Sequence, residues 1–565
     1  MFTARRFRTS RMGIFLILFM FTLAVACSQP ISSLGRAKTL PSQTGIDGLG
    51  LGTNLTGIAD WSTQLPFIDG FKSSRSWFTR CAPEEACSAE WSTDEADKLD
   101  LDSHGWVKSL PAPTDPPRYS RVSTLLYREI GRYPGGQYVV LYDGEGAIEY
   151  EFDAKKDVGA SRPGRDLIDV TPSDSGILLT VSATDPAKTG NYIRNIRVIP
   201  TQFEQTYESE IFNPVFLERI KQFGTLRFMD WMATNNSQQS KWQNRPQIED
   251  KSYAEKGVPL ELMIELANRL RANPWFNMPH QATDEYMINF AQLVKTKLDP
   301  KLTAYVELSN EVWNWMFDQA QYALKQGKAR WGEDKGDAYM QWYGMRTAQM
   351  SDIWKRAFGN QHSRVRTIIS TQTAWKGLET SALDCPLWVA EGNQPCYQHG
   401  LDAYAVTGYF SGGLGDDQER ATVEAWLNDP DGGVKRALAQ IEQGGNLKTS
   451  DSLADTKQGF IYHQQVAQQK QLKLVVYEGG QSLANPNSEK LTEFFIKLNR
   501  RPEMYKFYQQ LLNDWKETGG TLFMNFADIG EPSKWGSWGV LEHVDQESSP
   551  RYNALLNFIA QNQLR

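Results

Sequence analysis

Two glutamates are the residues of this 565-residue chain with the clearest chemical potential. Glu311 follows an apolar segment in YVELSNEVWN, and Glu478 ends another in LVVYEGG. A single glutamate in such a place is commonly a helix N-terminal charge or a loop residue. Two carboxyl groups held across a gap can instead cleave a glycosidic bond, one as a proton donor and the other as a carboxylate.

A repeated strand-then-helix pattern surrounds these glutamates. Strands are predicted at residues 51–55, 225–229, 275–278, 303–308, 366–370, 403–407, 472–477 and 521–525. Thr283 should cap a helix that carries Met287, Phe290 and Val294 on one face. Eight such units predict an α/β fold, a (β/α)8 TIM barrel whose functional residues lie at the C-terminal ends of the strands.

Residues 75–200 interrupt this pattern with an all-β texture. Strands are predicted at 138–142, 147–152 and 176–183, with Asp143-Gly144 as a hairpin turn. Ile148, Tyr150 and Phe152 alternate with glutamates and should share one face of their strand. We therefore expect a β-sandwich inserted after the first barrel strand. The predicted layout is strand and loop at 46–74, insert at 75–200 and the rest of the barrel at 201–565.

The N-terminus predicts export. Four arginines precede an apolar run that ends at residue 26, which is typical of a signal peptide. The following Cys27 resembles the lipidated cysteine of bacterial lipoproteins, with residues 27–45 as a lipidated tether. Ser28 resembles a signal for sorting to the outer membrane, so a lipid anchor in that membrane is expected. Plain secretion with cleavage near Ala26 is the alternative.

Composition limits the possible partners. The formal net charge of −7 argues against nucleic acid and anionic polymers, and favours a neutral polymer. Four cysteines remain beside Cys27, and proximity in sequence favours disulfides that pair Cys81 with Cys87 and Cys385 with Cys396. The six histidines and the cysteines show no zinc-binding spacing, so neither metal nor cofactor is predicted.

The two glutamate motifs resemble those of the clan A glycoside hydrolases, retaining enzymes built on this barrel. In that clan the acid/base glutamate follows an asparagine at the end of the fourth strand, and the nucleophile ends the seventh. Counting strands places Asn310-Glu311 and Glu478 at these positions. The wider pattern, including LRFMDWMATN from Leu226 and WFNMPHQAT from Trp275, resembles bacterial lipoproteins labelled cellulose-binding.

The resemblance implies that Glu311 donates a proton to the leaving oxygen while Glu478 attacks the anomeric carbon. This mechanism requires carboxyl groups about 5–5.5 Å apart. Because Glu311 must be protonated in the free enzyme, apolar surroundings and the charge of Glu478 should raise its pKa.

Three further residues resemble supporting members of the clan site. Asn310 resembles the residue that hydrogen-bonds the sugar 2-hydroxyl, Arg227 the arginine that keeps the nucleophile ionised, and Tyr409 the tyrosine that orients it. Arg227 has a second interpretation, neutralisation of Glu307, which shares the inward face of its strand with Glu311.

Other candidates follow the remaining strands. His280, after the third strand, is a candidate substrate-binding residue. For both His280 and Tyr409 the competing interpretation is a loop side chain that only packs against its neighbours. The chain has 18 tryptophans, whose faces stack on sugar rings. Six of them lie just beyond predicted strand ends and are candidate substrate platforms: Trp231, Trp313, Trp315, Trp375, Trp535 and Trp538. Trp535 and Trp538 resemble the aromatic floor of the clan's central subsite.

Two alternatives compete with a retaining hydrolase. One is a non-catalytic, cell-surface carbohydrate-binding lipoprotein, although the presence of both Glu311 and Glu478 argues against a barrel that has lost catalysis. The other is a lyase or transglycosylase, and a transglycosylase would use the same two glutamates. The sugar and its linkage depend on loop shapes that the sequence does not give.

Overall fold

Eight parallel strands form a closed barrel in the computed structural model, which describes residues 48–82, 91–112 and 118–564. The first to eighth barrel strands are Gly50–Asn54, Thr225–Arg227, Asn273–Met278, Ala304–Leu308, Val365–Ser370, Ala403–Phe410, Lys473–Gln481 and Leu522–Asn525. The eighth strand pairs in parallel with the first and closes the barrel. The predicted TIM barrel is confirmed, and each predicted strand overlaps an observed one.

The barrel interior is filled with side chains rather than open. Its buried apolar residues are Trp275, Tyr305, Ile368, Ala403, Ala405, Val475, Tyr477, Leu522 and Met524. A Cβ atom at Gly52 would lie 2.5 Å from Met524 Sδ and from the carbonyl oxygen of Thr225. Glycine at this position therefore makes room for Met524 in the interior.

Thirteen α-helices lie in the described part of the chain, most of them after the second barrel strand. Their bounds are Pro214–Ile220, Leu260–Leu270, Asp284–Lys297, Asp318–Trp331, Ala338–Phe358, Leu378–Asp384, Pro386–Val389, Arg420–Trp426, Val434–Gln443, Leu453–Gln469, Glu489–Asn499, Glu503–Glu517 and Pro550–Asn562. Thr283 caps the third helix as predicted, because its side chain accepts a hydrogen bond from the Tyr286 amide. No helix within these described residues is long and apolar enough to cross a membrane.

Two four-stranded antiparallel sheets lie between the first and second barrel strands in chain order. The first inserted sheet contains Phe78–Arg80, Arg121–Leu126, Ile177–Thr184 and Gly146–Phe152; the second contains Arg194–Pro200, Gly136–Asp143, Arg165–Val170 and Ala154–Arg162. A short pair, Asp100–Leu101 with Val107–Ser109, accompanies them. These sheets and the barrel belong to one compact unit, and a separate sandwich domain stays a prediction.

Two local predictions for the insert are wrong. Asp143-Gly144 does not close a hairpin, because the strands on either side of it belong to different sheets. Phe152 does not share the buried face of Ile148 and Tyr150. Its φ of +65° turns the side chain out of the alternation, and the residue is 49% exposed.

The predicted disulfide between Cys385 and Cys396 is confirmed, with Cα atoms 5.8 Å apart. Cys81 is also disulfide-bonded, and its expected partner Cys87 lies outside the described residues. The predicted signal peptide at 1–26, Cys27 and the tether likewise lie outside them.

Candidate active site

Arg227 ends the second barrel strand and is completely buried. Its Nη1 donates to Glu478 Oε1 at 2.7 Å, and its Nη2 donates to Glu307 Oε2 at 2.8 Å. Nη1 also donates to Asn54 Oδ1 at 2.9 Å, from the end of the first strand. Both interpretations of Arg227 therefore describe contacts that exist: this arginine is shared between Glu307 and Glu478.

Glu307 is a completely buried residue of the fourth strand, and side chains of neighbouring strands donate hydrogen bonds to its carboxylate. Its Oε2 accepts from Trp275 Nε1 at 3.1 Å and from Asn277 Nδ2 at 2.9 Å, both on the third strand. Its Oε1 accepts from Ser370 Oγ at 2.8 Å, on the fifth strand. These bonds fix Glu307 as the buried counter-ion that holds one side of the Arg227 guanidinium.

A β-bulge in the seventh strand brings two consecutive side chains into the site. Val476 pairs with Val406, but Glu478 pairs with Thr407, so Tyr477 is an extra residue between them. In a regular strand Tyr477 and Glu478 would point to opposite faces. Because of the bulge, Tyr477 belongs to the barrel interior while Glu478 reaches Arg227 on the same inward side.

Glu478 receives a second hydrogen bond from the sixth strand. The Tyr409 hydroxyl donates to Glu478 Oε2 at 2.9 Å, so each carboxylate oxygen has its own donor. Burial raises the pKa of Glu478, whereas Arg227 and the Tyr409 hydroxyl oppose this rise because they stabilise the carboxylate. Tyr409 is therefore more than a packed loop side chain, because its hydroxyl contacts the carboxylate of Glu478.

Glu311 has a different environment, three residues beyond the fourth strand. Tyr477 Oη donates to its Oε1 at 3.1 Å and Asn314 Nδ2 to its Oε2 at 3.0 Å, and both donors are neutral. Burial, together with the negative charge of Glu478, raises the pKa of Glu311 to about 8. At neutral pH the protonated form of Glu311 is therefore favoured, as the sequence predicts.

Asn310 is fixed by contacts that the sequence analysis missed. Its Oδ1 accepts from Arg227 Nη2 at 2.9 Å, and its Nδ2 donates to Asn235 Oδ1 at 3.1 Å. Gln319 Nε2 donates at 2.8 Å to both the Asn310 carbonyl and Asn235 Oδ1. Asn235 and Gln319 lie in a loop and a helix with no local signal for this role, because only the fold brings them to Asn310.

His280 is buried beside residues other than Glu311 and Glu478. Its Nε2 lies 3.3 Å from Gln281 Nε2, and its ring lies 5.1 Å from the Tyr322 ring. Burial lowers the pKa of His280 to about 4, so the imidazole is neutral at physiological pH. These contacts favour the packed-side-chain interpretation, and a sugar contact stays a prediction.

Two more carboxyl groups, also missed from the sequence, interact with the site. Burial and the charge of Glu478 raise the pKa of Asp230, which follows the second strand, to about 7. Burial raises the pKa of Asp528, after the eighth strand, to about 6, although Thr56 and Gln64 donate to it. The C-terminal face of the barrel is therefore rich in carboxyl groups with raised pKa values, which are common at functional sites.

The predicted tryptophan platforms divide into three groups. Trp231 is wrong as a platform, because it is completely buried and packs against Phe67 and Phe228. Trp313 and Trp538 are partly buried beside the site: Trp313 Nε1 donates to Tyr477 Oη at 3.3 Å, and the Trp538 ring lies 5.8 Å from that of Tyr409. The remaining candidates are well exposed: Trp315 (43%), Trp375 (50%) and Trp535 (64%).

Trp61 is a further exposed tryptophan that the sequence analysis did not select. It lies in the loop after the first barrel strand and is 58% exposed. Loops after barrel strands surround the C-terminal face, where barrel proteins place their sites. Trp61 therefore joins the candidate platforms.

Neither a protein-family model nor a curated protein sequence matches this chain. Solved structures share similarity at low identity. A GH51 arabinofuranosidase from Xanthomonas axonopodis pv. citri is 9% identical, with a TM-score of 0.33. The match covers 62% of this chain and 66% of the arabinofuranosidase, just under two thirds of that enzyme's length. A GH10 protein from Paenibacillus barcinonensis is 13% identical, with a TM-score of 0.34, over 62% of this chain and 93% of that one.

The catalytic domain of a GH26 endo-β-1,4-mannanase from Bacillus sp. JAMB-750 is 10% identical, with a TM-score of 0.31, over 54% of this chain and 69% of that one. The barrel assignment for the present chain rests on its own closed set of eight parallel strands.

Proposed function

We propose that this protein is a retaining glycoside hydrolase that acts on a β-linked, neutral polysaccharide or oligosaccharide. The observation that carries the proposal is the difference between two neighbouring glutamates. Glu478 bonds to a guanidinium and a phenol, which favour its ionised form. Glu311 bonds to two neutral donors, and its raised pKa of about 8 favours its protonated form.

This difference suits the first step of the double displacement. Glu478 attacks the anomeric carbon, and the bond to the leaving oxygen breaks as Glu311 transfers its proton to that oxygen. The products of this step are a free alcohol, a glycosyl ester on Glu478 and an ionised Glu311. Once Glu478 is esterified its negative charge is gone, so one cause of the raised pKa of Glu311 is removed.

The second step reverses the proton transfer. Ionised Glu311 accepts a proton from water while the water oxygen attacks the anomeric carbon and the ester bond to Glu478 breaks. The sugar leaves with retained configuration, and both glutamates return to their starting states. Arg227 stabilises the carboxylate that forms as Glu478 departs, because Nη1 already points at its Oε1.

The choice of a neutral sugar polymer is supported by charge and by aromatic side chains. The chain carries a net charge of −7, so an acidic polymer would be repelled. Exposed tryptophans in loops beyond the strand ends offer flat faces for sugar rings.

We also propose that lipid on Cys27 attaches the protein to an outer membrane. A Cys27→Ser protein that still partitions into detergent would contradict this attachment.

A glycan panel tests the proposed activity. Purified wild type, Glu478→Ala and the surface control Glu391→Gln are incubated with soluble β-glucans, mannans and xylans, and released reducing ends are measured. We expect release by wild type and by Glu391→Gln, and none by Glu478→Ala. NMR of the first product anomer should show retained configuration.

Other outcomes identify the competing functions. Release by Glu478→Ala equal to that of wild type would overturn the mechanism. Binding of a glycan without release by wild type would favour a carbohydrate-binding protein. Transfer of sugar to an added acceptor in preference to water would identify a transglycosylase that uses the same two glutamates.

A further inference from the structure

A row of nearly parallel aromatic rings lies on the first inserted sheet, which is built from other strands than those that carry or precede Glu311 and Glu478. The rings of Phe78 and Trp91 have centroids 5.2 Å apart and an interplanar angle of 21°. Those of Trp91 and Phe152 are 6.0 Å apart, with an angle of 3°. Trp91 is 43% exposed and Phe152 is 49% exposed. We call Phe78, Trp91 and Phe152 the aromatic row.

Phe152 has a backbone conformation that is unfavourable for phenylalanine. Its φ of +65° lies in the left-handed region, which residues other than glycine rarely adopt. The next residue is firmly fixed, because the Asp153 carboxylate accepts from Tyr133 Oη at 2.6 Å, from the Ser173 amide at 2.7 Å and from the Gly176 amide at 3.1 Å. Glycine would relieve the strain at this position, and a polar side chain would avoid exposing an apolar ring to water. A strained and exposed phenylalanine therefore indicates a function in contact with a ligand.

The polar side chains beside the row are paired with each other. Arg80 Nη1 lies 2.9 Å from Glu151 Oε1, and its guanidinium lies 5.5 Å from the Trp91 ring centre. Arg121 Nη1 lies 2.9 Å from Glu149 Oε2. This surface thus offers flat rings, fixed hydrogen-bond donors and fixed acceptors with balanced charge.

We propose that the aromatic row and its two flanking ion pairs form a second carbohydrate-binding surface, which holds a neutral polysaccharide chain. The apolar faces of pyranose rings stack on aromatic rings, and their hydroxyl groups both accept from guanidinium and donate to carboxylate. An anionic polymer or an acidic membrane requires unpaired cations, which these ion pairs do not supply. The choice of ligand rests on the proposed function, whereas the surface itself rests on its own geometry.

The test separates binding from hydrolysis by using Glu478→Ala as the parent protein, so that the polysaccharide is not consumed. Migration through native gels that contain soluble β-glucan, mannan or xylan measures retention. Trp91→Ala and Phe152→Gly are compared with Val158→Ala, a control at an exposed apolar residue of the second inserted sheet. The same three substitutions in the wild-type background are assayed on a small soluble glycoside.

We expect the parent to be retarded by at least one polysaccharide, and Trp91→Ala and Phe152→Gly to bind it roughly three- to tenfold more weakly. Val158→Ala should bind like the parent, and hydrolysis of the small glycoside should be unchanged in all three variants. Phe152→Gly should also unfold at the same or a higher temperature, because glycine relieves the strain. This combination of weaker binding without lost stability distinguishes a binding role from a structural one.

Three results would overturn this inference: no retardation of the parent in any gel, equal retardation of parent and aromatic variants, or loss of binding only together with loss of folding in both variants. Binding to anionic vesicles in place of polysaccharide would also contradict it. If no variant or wild type hydrolyses any glycan but retention still depends on the aromatic row, the proposed hydrolase fails and the binding surface stands.

Discussion

Arg227 Nη1 lies 2.7 Å from Glu478 Oε1, and both side chains are buried. Two charges removed from water in this way depend on each other, because loss of one partner leaves the other without compensation. The guanidinium also lies 5.2 Å from the Tyr477 ring centre, so it is held by aromatic as well as acidic neighbours. Arg227 is therefore both a structural cation and the electrostatic support of the proposed nucleophile.

Replacement of Arg227 by methionine should abolish hydrolysis and lower the free energy of unfolding by about 3–5 kcal/mol, because Glu307 and Glu478 both lose a buried cation. Urea denaturation followed by fluorescence measures this loss. The control Arg330→Met breaks a surface pair with Glu391 and should cost less than about 1 kcal/mol. Equal stability losses for the two variants would contradict the network.

Tyr409→Phe removes one donor from Glu478 and leaves the ring packed against Trp538. A hydrogen bond to a charged group contributes about 1.5–3 kcal/mol, so kcat/KM should fall about 10- to 150-fold while the fold is kept. Tyr404→Phe is a matched control on the same strand, because its hydroxyl contacts Thr371 and His463 instead. An equal loss of kcat/KM in the two variants would show that Tyr409 has no specific role.

The alkaline limb of activity should report Glu311. Because this carboxyl must be protonated to donate and its pKa is raised to about 8, kcat/KM for a polysaccharide should fall as pH rises through about 8. Glu311→Gln, assayed on an aryl glycoside whose leaving group needs no proton, should lack this limb. A wild-type rate that stays constant to pH 9.5, or a limb that persists in Glu311→Gln, would contradict the assignment.

Glu311 should also make stability depend on pH. Its pKa is about 8 in the folded protein and about 4.5 when unfolded, so the folded state binds more protons between these values. Stability from this group is therefore full below pH 4.5 and is lost as pH rises through about 8. Glu311→Gln does not titrate, so relative to wild type it should be more stable at pH 8.5 and similar at pH 4.

Thermal unfolding of both proteins at the two pH values measures this difference. Glu391→Gln is the control, because Arg330 lowers the pKa of Glu391 and its replacement should bring no gain at high pH. A gain of equal size at pH 4 and pH 8.5 would show that the effect of Glu311→Gln does not come from titration.

Local patterns were sufficient to predict most elements of the barrel. The helix after Thr283 was found with its predicted cap and buried face, because capping and helical periodicity depend on residues three or four apart. The prediction of a hairpin at Asp143-Gly144 was wrong because strand pairing, unlike helix capping, is not decided by residues a few positions apart. A turn sequence specifies a bend in the chain, but which strand each arm joins depends on partners far away in the chain.

The side chains that surround the two glutamates show the same division. Arg227 and Tyr409 were selected because they resemble clan residues at the second and sixth strands, and the structure brings both to Glu478. Asn235 and Gln319 carry no local signal, and Trp231 was chosen by position although it is buried. Position along a strand predicts which end a residue occupies, but burial depends on what packs over it.

The sequence by itself determined the barrel, the assignment of Glu311 to the fourth unit and Glu478 to the seventh strand, and the Cys385–Cys396 disulfide, because periodicity, turn residues and short spacings are local properties. The seventh strand runs on to Gln481, three residues beyond the predicted end at Glu478. Only the tertiary structure decided that Tyr477 and Glu478 face the same way, since their bulge is defined by pairing with another strand. It also decided that the two glutamates meet different partners, Glu478 a cation and Glu311 two neutral donors, and the different roles proposed for them rest on this contrast.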